Sequence, residues 1–543
     1  MSKSLADSTI QELAPLLQSK TVSPVELTEA VLARMEETEG RLNAYITRLE
    51  DEAMADAREA EREIVNGGYK GPLHGIPFAV KDLYYTKGIR TTAGSKIYRD
   101  FVPDYDATTV ARLKDAGAIL VGKNNTHEFA SGGTNENEHF GPARNPWNPD
   151  RIPGGSSGGS AACVAASSAI FSLGTDTGGS IRMPASLCGI VGMKATYGRV
   201  SRRGVFPLSW SLDHAGPLAK SVWDTAQVLS VIAGQDPLDA ASSDHPVPDY
   251  AAALNSGVSR PLEGMKIGYC EAYFFQNLDP EVERLVKQAI AVLADLGAEI
   301  REVKIPMLEQ MVQVHSLISA AEMLTFHNAN VTSRSEDYGT NILPRLLMAK
   351  EISAQAYLET QRLRQQYQAV WSELYREIDL LAVPSTGIPA FPIGAETIHL
   401  NGKDVNPRDI GIIGRTAPGN FNGYPSISVP CGYTDAGLPV GLQIQGVPFD
   451  ESLVFQAAHA YEQATLWFSK QVPAVLQDDF PGKSPDTRQE MGASVSPVHK
   501  SIDSIMDVLT ELSSQLAAEI EPASCFKPKT VNKETKQVTS ISL

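Results

Sequence analysis

Short apolar runs alternate along the chain with segments in which apolar residues recur every three or four positions. Residues 75–80 and 118–121 are continuous apolar runs typical of buried strands, and a helix is predicted between them at 108–116. The same alternation returns farther on, where strands are predicted at 265–269 and 299–305 on either side of a helix. This pattern indicates an α/β fold with a mixed or largely parallel sheet.

Helical periodicity dominates the first part of the chain, residues 8–64. Apolar residues recur at helical spacing behind Ser23-Pro24-Val25-Glu26, which has the form of a capping box with proline at the first helical position. A further capping box is predicted from Ser8 to Gln11. These helices are expected to pack as a layer on the sheet.

The pattern changes after residue 480, so residues 1–480 are predicted to form the main domain. Residues 481–497 are rich in proline, glycine and serine and are predicted to be a linker. Residues 498–528 carry an apolar stripe at helical spacing and are predicted to be an amphipathic helical extension. The polar residues 529–543 are predicted to be a disordered tail.

The composition narrows the functional classes that the chain can belong to. It has 543 residues with 42% hydrophobic content, enough to bury a large core, and a net charge of −17, which argues against nucleic-acid and anionic-membrane partners. The five cysteines are scattered without metal-ligand spacing, which favours a reducing compartment. Neither a signal peptide nor an apolar run long enough for a membrane span is evident, so a cytoplasmic location is predicted.

Two serines in the glycine-rich stretch 154–184 are the first candidates for chemistry. Ser156 and Ser180 each follow a Gly-Gly pair, and glycine permits the sharp turns on which an exposed nucleophile sits. A buried helix is predicted at 160–171, with the positive end of its dipole facing Ser156. Phosphate binding by the turns is an alternative, although neither turn has the residue order of a known phosphate-binding loop.

A serine nucleophile needs a neighbouring group to accept its proton. Lys81, at the end of a predicted buried strand, could serve as a neutral base if burial disfavours its ammonium form, although an ion pair with Asp82 is an alternative. The other candidate acceptors are His74, His127, His139, His214, Asp82 and Asp176. For His127 and His214 a structural role is favoured, because no second metal ligand lies at suitable spacing.

The motifs around these residues resemble the amidase signature family. The resemblance spans roughly residues 5–475, and it implies one large α/β domain: a large mixed β-sheet core flanked by helices, with a short helical C-terminal extension beyond it. It is carried by Gly-Gly-Ser-Ser-Gly-Gly-Ser and Asp-Thr-Gly-Gly-Ser-Ile-Arg-Met-Pro-Ala within 154–185, and by matching runs at 74–82, 122–130, 197–201, 211–217 and 437–443.

The resemblance implies a Ser-cisSer-Lys triad. Ser180 is the nucleophile that forms an acyl-enzyme, Ser156 the bridging serine after a cis peptide, and Lys81 the base. The family's oxyanion hole maps onto the backbone N–H groups of Thr177, Gly178, Gly179 and Ser180. Supporting positions are Ser157, which could instead cap a helix, and Asp176 with Arg182, for which a structural ion pair is favoured. No metal and no cofactor are expected.

Three functions remain open at this point. The first is hydrolysis of the C–N bond of a small-molecule amide, carbamate or ureide, the second a glutaminase (ammonia-supplying) A-type subunit of a tRNA-dependent amidotransferase, and the third a silent binding module. The intact triad argues against the third. The sequence Ser-Leu-Asp-His at 211–214 departs from the Ser-Leu-Asp-Gln that is usual in such A-type subunits, so the first is favoured.

The expected partners follow from the favoured function. They are a small-molecule amide substrate and a second copy of the chain, forming a homodimer through the C-terminal helix, with no nucleic acid and no membrane. Residues 498–528 also resemble the small helical subunits of ureide- and biuret-pathway amidases, which is a second way to interpret the extension. The substrate class, whether aryl amide, carbamate, ureide or aliphatic amide, is left open by the sequence.

Overall fold

The computed structural model describes residues 4–254, 260–410 and 413–467. Within them, eleven strands form one mixed sheet and two further strands form a separate pair. The sheet strands are β1 (Tyr45–Arg48), β2 (Pro77–Lys81), β3 (Ile119–Asn124), β4 (Phe171–Asp176), β5 (Val191–Lys194), β6 (His214–Ala219), β7 (Lys266–Tyr269), β8 (Glu299–Glu302), β9 (Leu380–Pro384), β12 (Ser426–Tyr433) and β13 (Pro439–Gln445), and the pair is β10 (Ile398–Leu400) with β11 (Lys403–Val405).

Helices flank the sheet, so the predicted α/β class and the large mixed sheet are both confirmed. In chain order they are α1 (Ile10–Gln18), α2 (Pro24–Leu42), α3 (Glu50–Val65), α4 (Thr108–Asp115), α5 (Gly158–Ala165), α6 (Arg182–Cys188), α7 (Val222–Ile232), α8 (Glu271–Phe274), α9 (Pro280–Asp295), α10 (Leu308–Ser333), α11 (Leu343–Ala349), α12 (Ala354–Glu377), α13 (Pro407–Ile410), α14 (Ala417–Asn422) and α15 (Glu451–Thr465). Short 3₁₀ turns lie at Leu5–Asp7, Glu128–Ala130, Ala252–Leu254 and Ser335–Asp337.

The strand order places two chemically important residues at one edge of the sheet. The order is β1-β3-β2-β4-β6-β5-β12-β13-β9-β7-β8, and β2 runs parallel to both β3 and β4. Parallel strands end at the same edge, so Lys81 at the end of β2 and Asp176 at the end of β4 lie on the same side. Both strands are buried along their whole length.

Local capping explains where the N-terminal helices begin. Ser23 and Glu26 form the predicted reciprocal capping box at the start of α2. The box before α1 is formed by Thr9 and Glu12, so the prediction of Ser8 with Gln11 is wrong by one residue. Ser8 instead caps the preceding 3₁₀ turn through its backbone N–H.

The buried helix predicted at 160–171 is shorter than expected. Helix α5 ends at Ala165, and Ser167 takes a left-handed conformation with φ 65° that turns the chain into β4. An apolar run alone cannot separate a buried helix from the buried strand that follows it. The N-terminus of α5 still lies next to Ser157, as predicted.

The predicted linker at 481–497, the extension at 498–528 and the tail at 529–543 lie outside the described residues. The domain boundaries therefore stay predictions. None of the helices in the described ranges is long and apolar enough to cross a membrane. Four cysteines, Cys163, Cys188, Cys270 and Cys431, are buried free thiols.

Candidate active site

Lys81 is the buried base candidate at the centre of the site. It is fully buried, and its Nζ donates to Ser156 Oγ at 2.6 Å and to Thr175 Oγ1 at 2.8 Å. Burial lowers the pKa of Lys81 to about 7, against the opposing attraction of Asp176 and Asp213. An amine that is neutral near neutral pH can accept a proton from Ser156.

The predicted ion pair between Lys81 and Asp82 does not form. Asp82 instead pairs with the buried Lys123, whose Nζ lies 3.1 Å from Asp82 Oδ1. Asp82 also accepts hydrogen bonds from the backbone and side chain of Thr92. The Asp82 carboxylate therefore pairs with Lys123, and the Lys81 Nζ bonds to the hydroxyls of Ser156 and Thr175.

Ser156 lies in a turn that is bonded on several sides. The Gly155–Ser156 peptide is cis, and Ser156 O accepts from Thr126 Oγ1 at 3.0 Å and from His127 N at 3.2 Å. Gly155 leaves no room for a side chain, because a Cβ there would lie 2.7 Å from Asn135 N. The bridging hydroxyl is therefore held in one position against Lys81.

Ser180 follows Gly179 in the turn that leads into α6. Gly179 has φ 128°, and its missing Cβ would lie only 2.0 Å from Thr416 Oγ1, so glycine is required there. Ser180 is 7% exposed. Within the part of the chain that the structure describes, its hydroxyl makes no hydrogen bond, so the proton relay from Ser180 to Ser156 stays a prediction. Catalytic hydrogen bonds often tighten only when substrate is bound.

A buried ion pair fixes the turn that carries Ser180. Arg182 contacts Asp176 through Nη2 at 2.9 Å and through Nε at 3.0 Å, and both side chains are fully buried. Asp176 also accepts from the N–H groups of Gly179 and Ile181 and from Asn420 Nδ2. Burial favours the neutral acid, but Arg182 and these donors hold the pKa of Asp176 well below its usual range.

Arg182 joins this turn to the C-terminal part of the described chain. Its Nη1 donates to Gln443 Oε1 at 2.6 Å and to Thr416 O at 2.9 Å, and its Nη2 donates to Asn420 Oδ1 at 2.6 Å. The guanidinium is therefore bonded on every side. This arrangement holds the turn on a fixed frame of β13 and α14.

The backbone N–H groups of the Ser180 turn have different partners. The Gly179 N–H, predicted to be an oxyanion donor, instead donates to Asp176 Oδ1 at 2.7 Å. Thr177 O accepts from His315 Nε2 at 2.8 Å, and Gly179 O accepts from the Met183 N–H at 2.8 Å. In a trans peptide the N–H points opposite to the carbonyl, so the N–H groups of Gly178 and Ser180 face away from these partners.

Ser157 links β4 and the turn that carries Ser180 rather than capping α5 with its side chain. Its Oγ donates to Thr175 O at 3.2 Å, and its N–H donates to Ser180 O at 3.3 Å. No side-chain cap is present at the start of α5. Of the two interpretations left open by the sequence, the contacts favour hydrogen bonding within the site.

None of the four candidate histidines bonds to Ser156 Oγ or Ser180 Oγ in the part of the chain that the structure describes. Burial lowers the pKa of His127 to about 4 and that of His214 well below its usual range. The side chains of His74 and His139 pair with Glu63 and Glu128, respectively. Among the described candidates, only Lys81 bonds to the Ser156 hydroxyl. No group of three potential metal ligands is found in the described ranges.

Several site residues escaped the sequence analysis. Asp213 accepts from Thr177 Oγ1 at 2.6 Å and from two backbone N–H groups, which fixes the first residue of the Ser180 turn. Asp213 lies in the Ser-Leu-Asp-His motif, so the motif could have identified it as a site residue. Thr175, within the glycine-rich stretch, could likewise have been singled out. His315, Thr416, Asn420 and Gln443 carry no comparable local signal.

An open cavity of about 240 Å³ lies on the Thr175 side of Lys81. Its lining includes Thr175, Asp213, Ala130, Phe206, Arg202 and Trp210. Thr175 is thus both a hydrogen-bond acceptor for Lys81 and part of the cavity wall.

The pKa of Lys81 predicts how reactivity should depend on pH. Only neutral Lys81 accepts a proton, so labelling of Ser180 by a fluorophosphonate should fall about tenfold per pH unit below about pH 7 and level off above it. The measurement is the second-order labelling rate over roughly pH 5 to 9.

Titration of Asp213 could produce a similar dependence of the labelling rate on pH, because burial raises the pKa of Asp213 to about 6. The profile should persist in Asp213→Asn at reduced overall rate. Its disappearance in that variant would assign the titration to Asp213 and contradict the role of Lys81.

Comparison with known proteins identifies relatives over nearly the whole described chain. The family model described as Amidase matches residues 26–455. The A-type subunit of the glutamyl-tRNA(Gln) amidotransferase of Geobacter sp. (strain M21) is 44% identical over 86% of this chain and 99% of the relative. The protein of the same name from Moorella thermoacetica is 41% identical over 84% and 96%, respectively.

Solved structures show the same fold. One, described in terms of a vestigial protein complex and the origins of an s-triazine catabolic enzyme, is 37% identical with a TM-score of 0.80, covering 84% of this chain and 99% of that one. A bacterial aryl acylamidase described as an amidase signature enzyme is 29% identical with a TM-score of 0.76, covering 85% and 98%, respectively.

The relatives overturn the partners predicted from the sequence. A small-molecule amide substrate, a homodimer and the absence of nucleic acid were expected, and this prediction is wrong. The similar curated proteins are named as one subunit of an amidotransferase and are named for a glutamyl-tRNA. Net charge misled here because it averages over the whole surface and does not report which partners a local surface contacts.

Proposed function

This chain belongs to the amidase family, the amidase signature enzymes, and we propose on that basis that it is the ammonia-supplying A-type subunit of a tRNA-dependent amidotransferase. The observation that carries the proposal is its similarity to such subunits, at 41–44% identity over 96–100% of their length. Glutamine, through its side-chain amide, a linear amide, would be the ammonia donor for a second substrate carried on tRNA rather than the only substrate. The cytoplasmic location predicted from the sequence is compatible with this role.

The proposed reaction begins with transfer of a proton away from Ser180. Neutral Lys81 accepts the Ser156 proton while Ser156 takes the proton of Ser180. Ser180 Oγ then attacks the amide carbon, and the negative charge moves to the carbonyl oxygen. We assign stabilisation of that oxyanion to the N–H groups of Gly178 and Ser180, and loss of one such donor costs about 10²- to 10³-fold in rate.

Collapse of the tetrahedral intermediate completes acylation. The C–N bond breaks while the Lys81 ammonium returns its proton through Ser156 to the leaving nitrogen, which departs as ammonia. A glutamyl ester on Ser180 remains. Water, deprotonated through the same pair of residues, attacks this ester, and that proton returns through Ser156 to Ser180 Oγ as the ester bond breaks and glutamate is released. Protons balance over the cycle, and Lys81 ends neutral.

His214 stands where A-type subunits usually have glutamine, but it makes no hydrogen bond to Ser156 Oγ or Ser180 Oγ. The His214 ring bonds through Nδ1 to Leu212 O at 2.7 Å and lies 3.2 Å from Asp176 O. These contacts support the strand behind the Ser180 turn and leave the Ser156 and Ser180 hydroxyls untouched. We therefore infer that histidine at this position is compatible with a glutaminase.

The substrate proposal is tested by ammonia release from the purified full chain. L-Glutamine should be hydrolysed at least about tenfold faster than L-asparagine, which is one methylene shorter, because a well-shaped site discriminates a methylene by about 10- to 200-fold. Propionamide and biuret serve as further controls. Faster hydrolysis of biuret or of an aryl amide than of glutamine would contradict the proposal.

The amidotransferase role needs a second measurement. This chain replaces the native A-type subunit in a mixture of the remaining Geobacter amidotransferase subunits and glutamyl-tRNA(Gln). We expect glutamine-dependent amide formation on the tRNA. If those subunits work with their native A-type partner and not with this chain, although this chain hydrolyses glutamine, the role in a transamidating complex is wrong.

A further inference from the structure

The carbonyl of Thr177 is held by a histidine from a distant helix. His315 lies on α10, is 5% exposed, and places Nε2 2.8 Å from Thr177 O. A carbonyl oxygen only accepts, so Nε2 must carry the hydrogen. Burial lowers the pKa of His315 to about 4, so the ring is neutral and Nδ1 bears a lone pair.

Bonding of this carbonyl fixes the direction of the next N–H. The Thr177–Gly178 peptide is planar, so with Thr177 O directed at His315 the Gly178 N–H points to the opposite side. We propose that His315 is a positioning residue that aims the Gly178 N–H at the oxyanion formed when Ser180 attacks. This inference rests on the proposed acylation of Ser180 and not on the identity of the substrate.

The neighbouring Gly178–Gly179 peptide is held by groups other than His315. Loss of the His315 hydrogen bond therefore removes a contact to the Thr177–Gly178 peptide alone. Gly178 O accepts from Thr416 Oγ1 at 2.6 Å, and the N–H of that peptide goes to Asp176. In the Thr177–Gly178 peptide, the carbonyl accepts a hydrogen bond from His315. The N–H of the same peptide has no hydrogen-bond partner among the described residues. The ring also packs directly on the turn, because a Cβ on Gly178 would lie 3.3 Å from His315 Cε1.

Stability alone does not explain a histidine at this position. Nδ1 of His315 is buried and bonds to no described group. Leaving a buried nitrogen without a hydrogen-bond partner is destabilising, and an apolar residue of similar size would avoid that penalty. A histidine at 315 is therefore consistent with a requirement for Nε2, which donates to Thr177 O.

The test compares two substitutions of His315, by Gln and by Asn, whose side-chain amides match different nitrogens of the histidine ring. The Gln Nε2 atom can occupy the place of His Nε2, whereas Asn reaches only as far as Nδ1. We expect His315→Gln to keep the fluorophosphonate labelling rate within about threefold of the parent, and His315→Asn to lower it by about 10- to 100-fold. The affinity of a boronic acid, whose tetrahedral adduct places an oxygen in the oxyanion hole, should fall in parallel.

His327 supplies a matched control on the same helix. It is fully buried, and its Nδ1 bonds to Tyr338 OH at 3.0 Å, away from the Ser180 turn. His327→Gln, whose amide nitrogen does not match the Nδ1 position, should lower the thermal midpoint about as much as His315→Asn and leave labelling within about threefold. Equal losses of labelling in His327→Gln and His315→Asn, or no difference between Gln and Asn at 315, would overturn the inference. The labelling reagent is neither glutamine nor tRNA, so failure of the substrate proposal would be seen separately.

Discussion

Replacing Ser180 with alanine should abolish amide hydrolysis. The hydroxyl is the proposed attacking group, and removing the nucleophile of a comparable serine enzyme lowers kcat by about 10⁶-fold. Covalent labelling by a fluorophosphonate should disappear as well, because the reagent forms its bond to Ser180 Oγ. Both are measured on the purified full chain, with the thermal midpoint as evidence that the variant is folded.

Ser157→Ala is the matched control for this variant. Ser157 lies next to the bridging serine, but its Oγ bonds to the backbone of Thr175 and so is a structural contact. Labelling should slow and remain detectable. Substantial hydrolysis by Ser180→Ala, or labelling that is lost in Ser157→Ala and kept in Ser180→Ala, would show that another group attacks.

Replacing Arg182 with methionine should strongly destabilise the fold. The Asp176 carboxylate would stay fully buried without its partner, while Thr416 O, Asn420 and Gln443 would lose a donor. Breaking one side of a buried ion pair costs about 3–5 kcal/mol in the free energy of unfolding. Denaturant unfolding monitored by tryptophan fluorescence measures this loss.

Arg376→Met gives the exposed counterpart. Arg376 pairs with Glu373 at 2.8 Å on α12, and both side chains are largely exposed. Exposed pairs contribute only about 0–1 kcal/mol, so this variant should unfold close to the parent. If both arginine variants unfold alike, the network around Asp176 is not what holds the Ser180 turn in place.

Much of the sheet could be predicted from the apolar runs. The prediction at 75–80 matches β2, and 118–121 falls on β3, because a strand buried on both faces needs a continuous run. The triad positions came from motif resemblance, and the structure brings Lys81 and Ser156 into hydrogen-bond contact. The boundary between α5 and β4 was missed because both elements are apolar and carry the same signal.

The contacts around the Ser180 turn were beyond reach of the sequence. Arg182 is separated from Asn420 and Gln443 by more than two hundred residues, and nothing in their local sequence indicates a contact. His315 is similarly an ordinary position in a long helix. Long-range polar pairing depends on how the strands order themselves in the sheet, which periodicity does not specify.

The long reach of Arg182 has a consequence for synthesis of the protein. The Ser180 turn leaves the ribosome early, but its partners on α14 and β13 are added only near the end of the described chain. A growing chain that stops short of residue 443 lacks Gln443, which accepts a hydrogen bond from Arg182. The set of contacts that fixes the Ser180 turn is therefore complete only after β13 has been added.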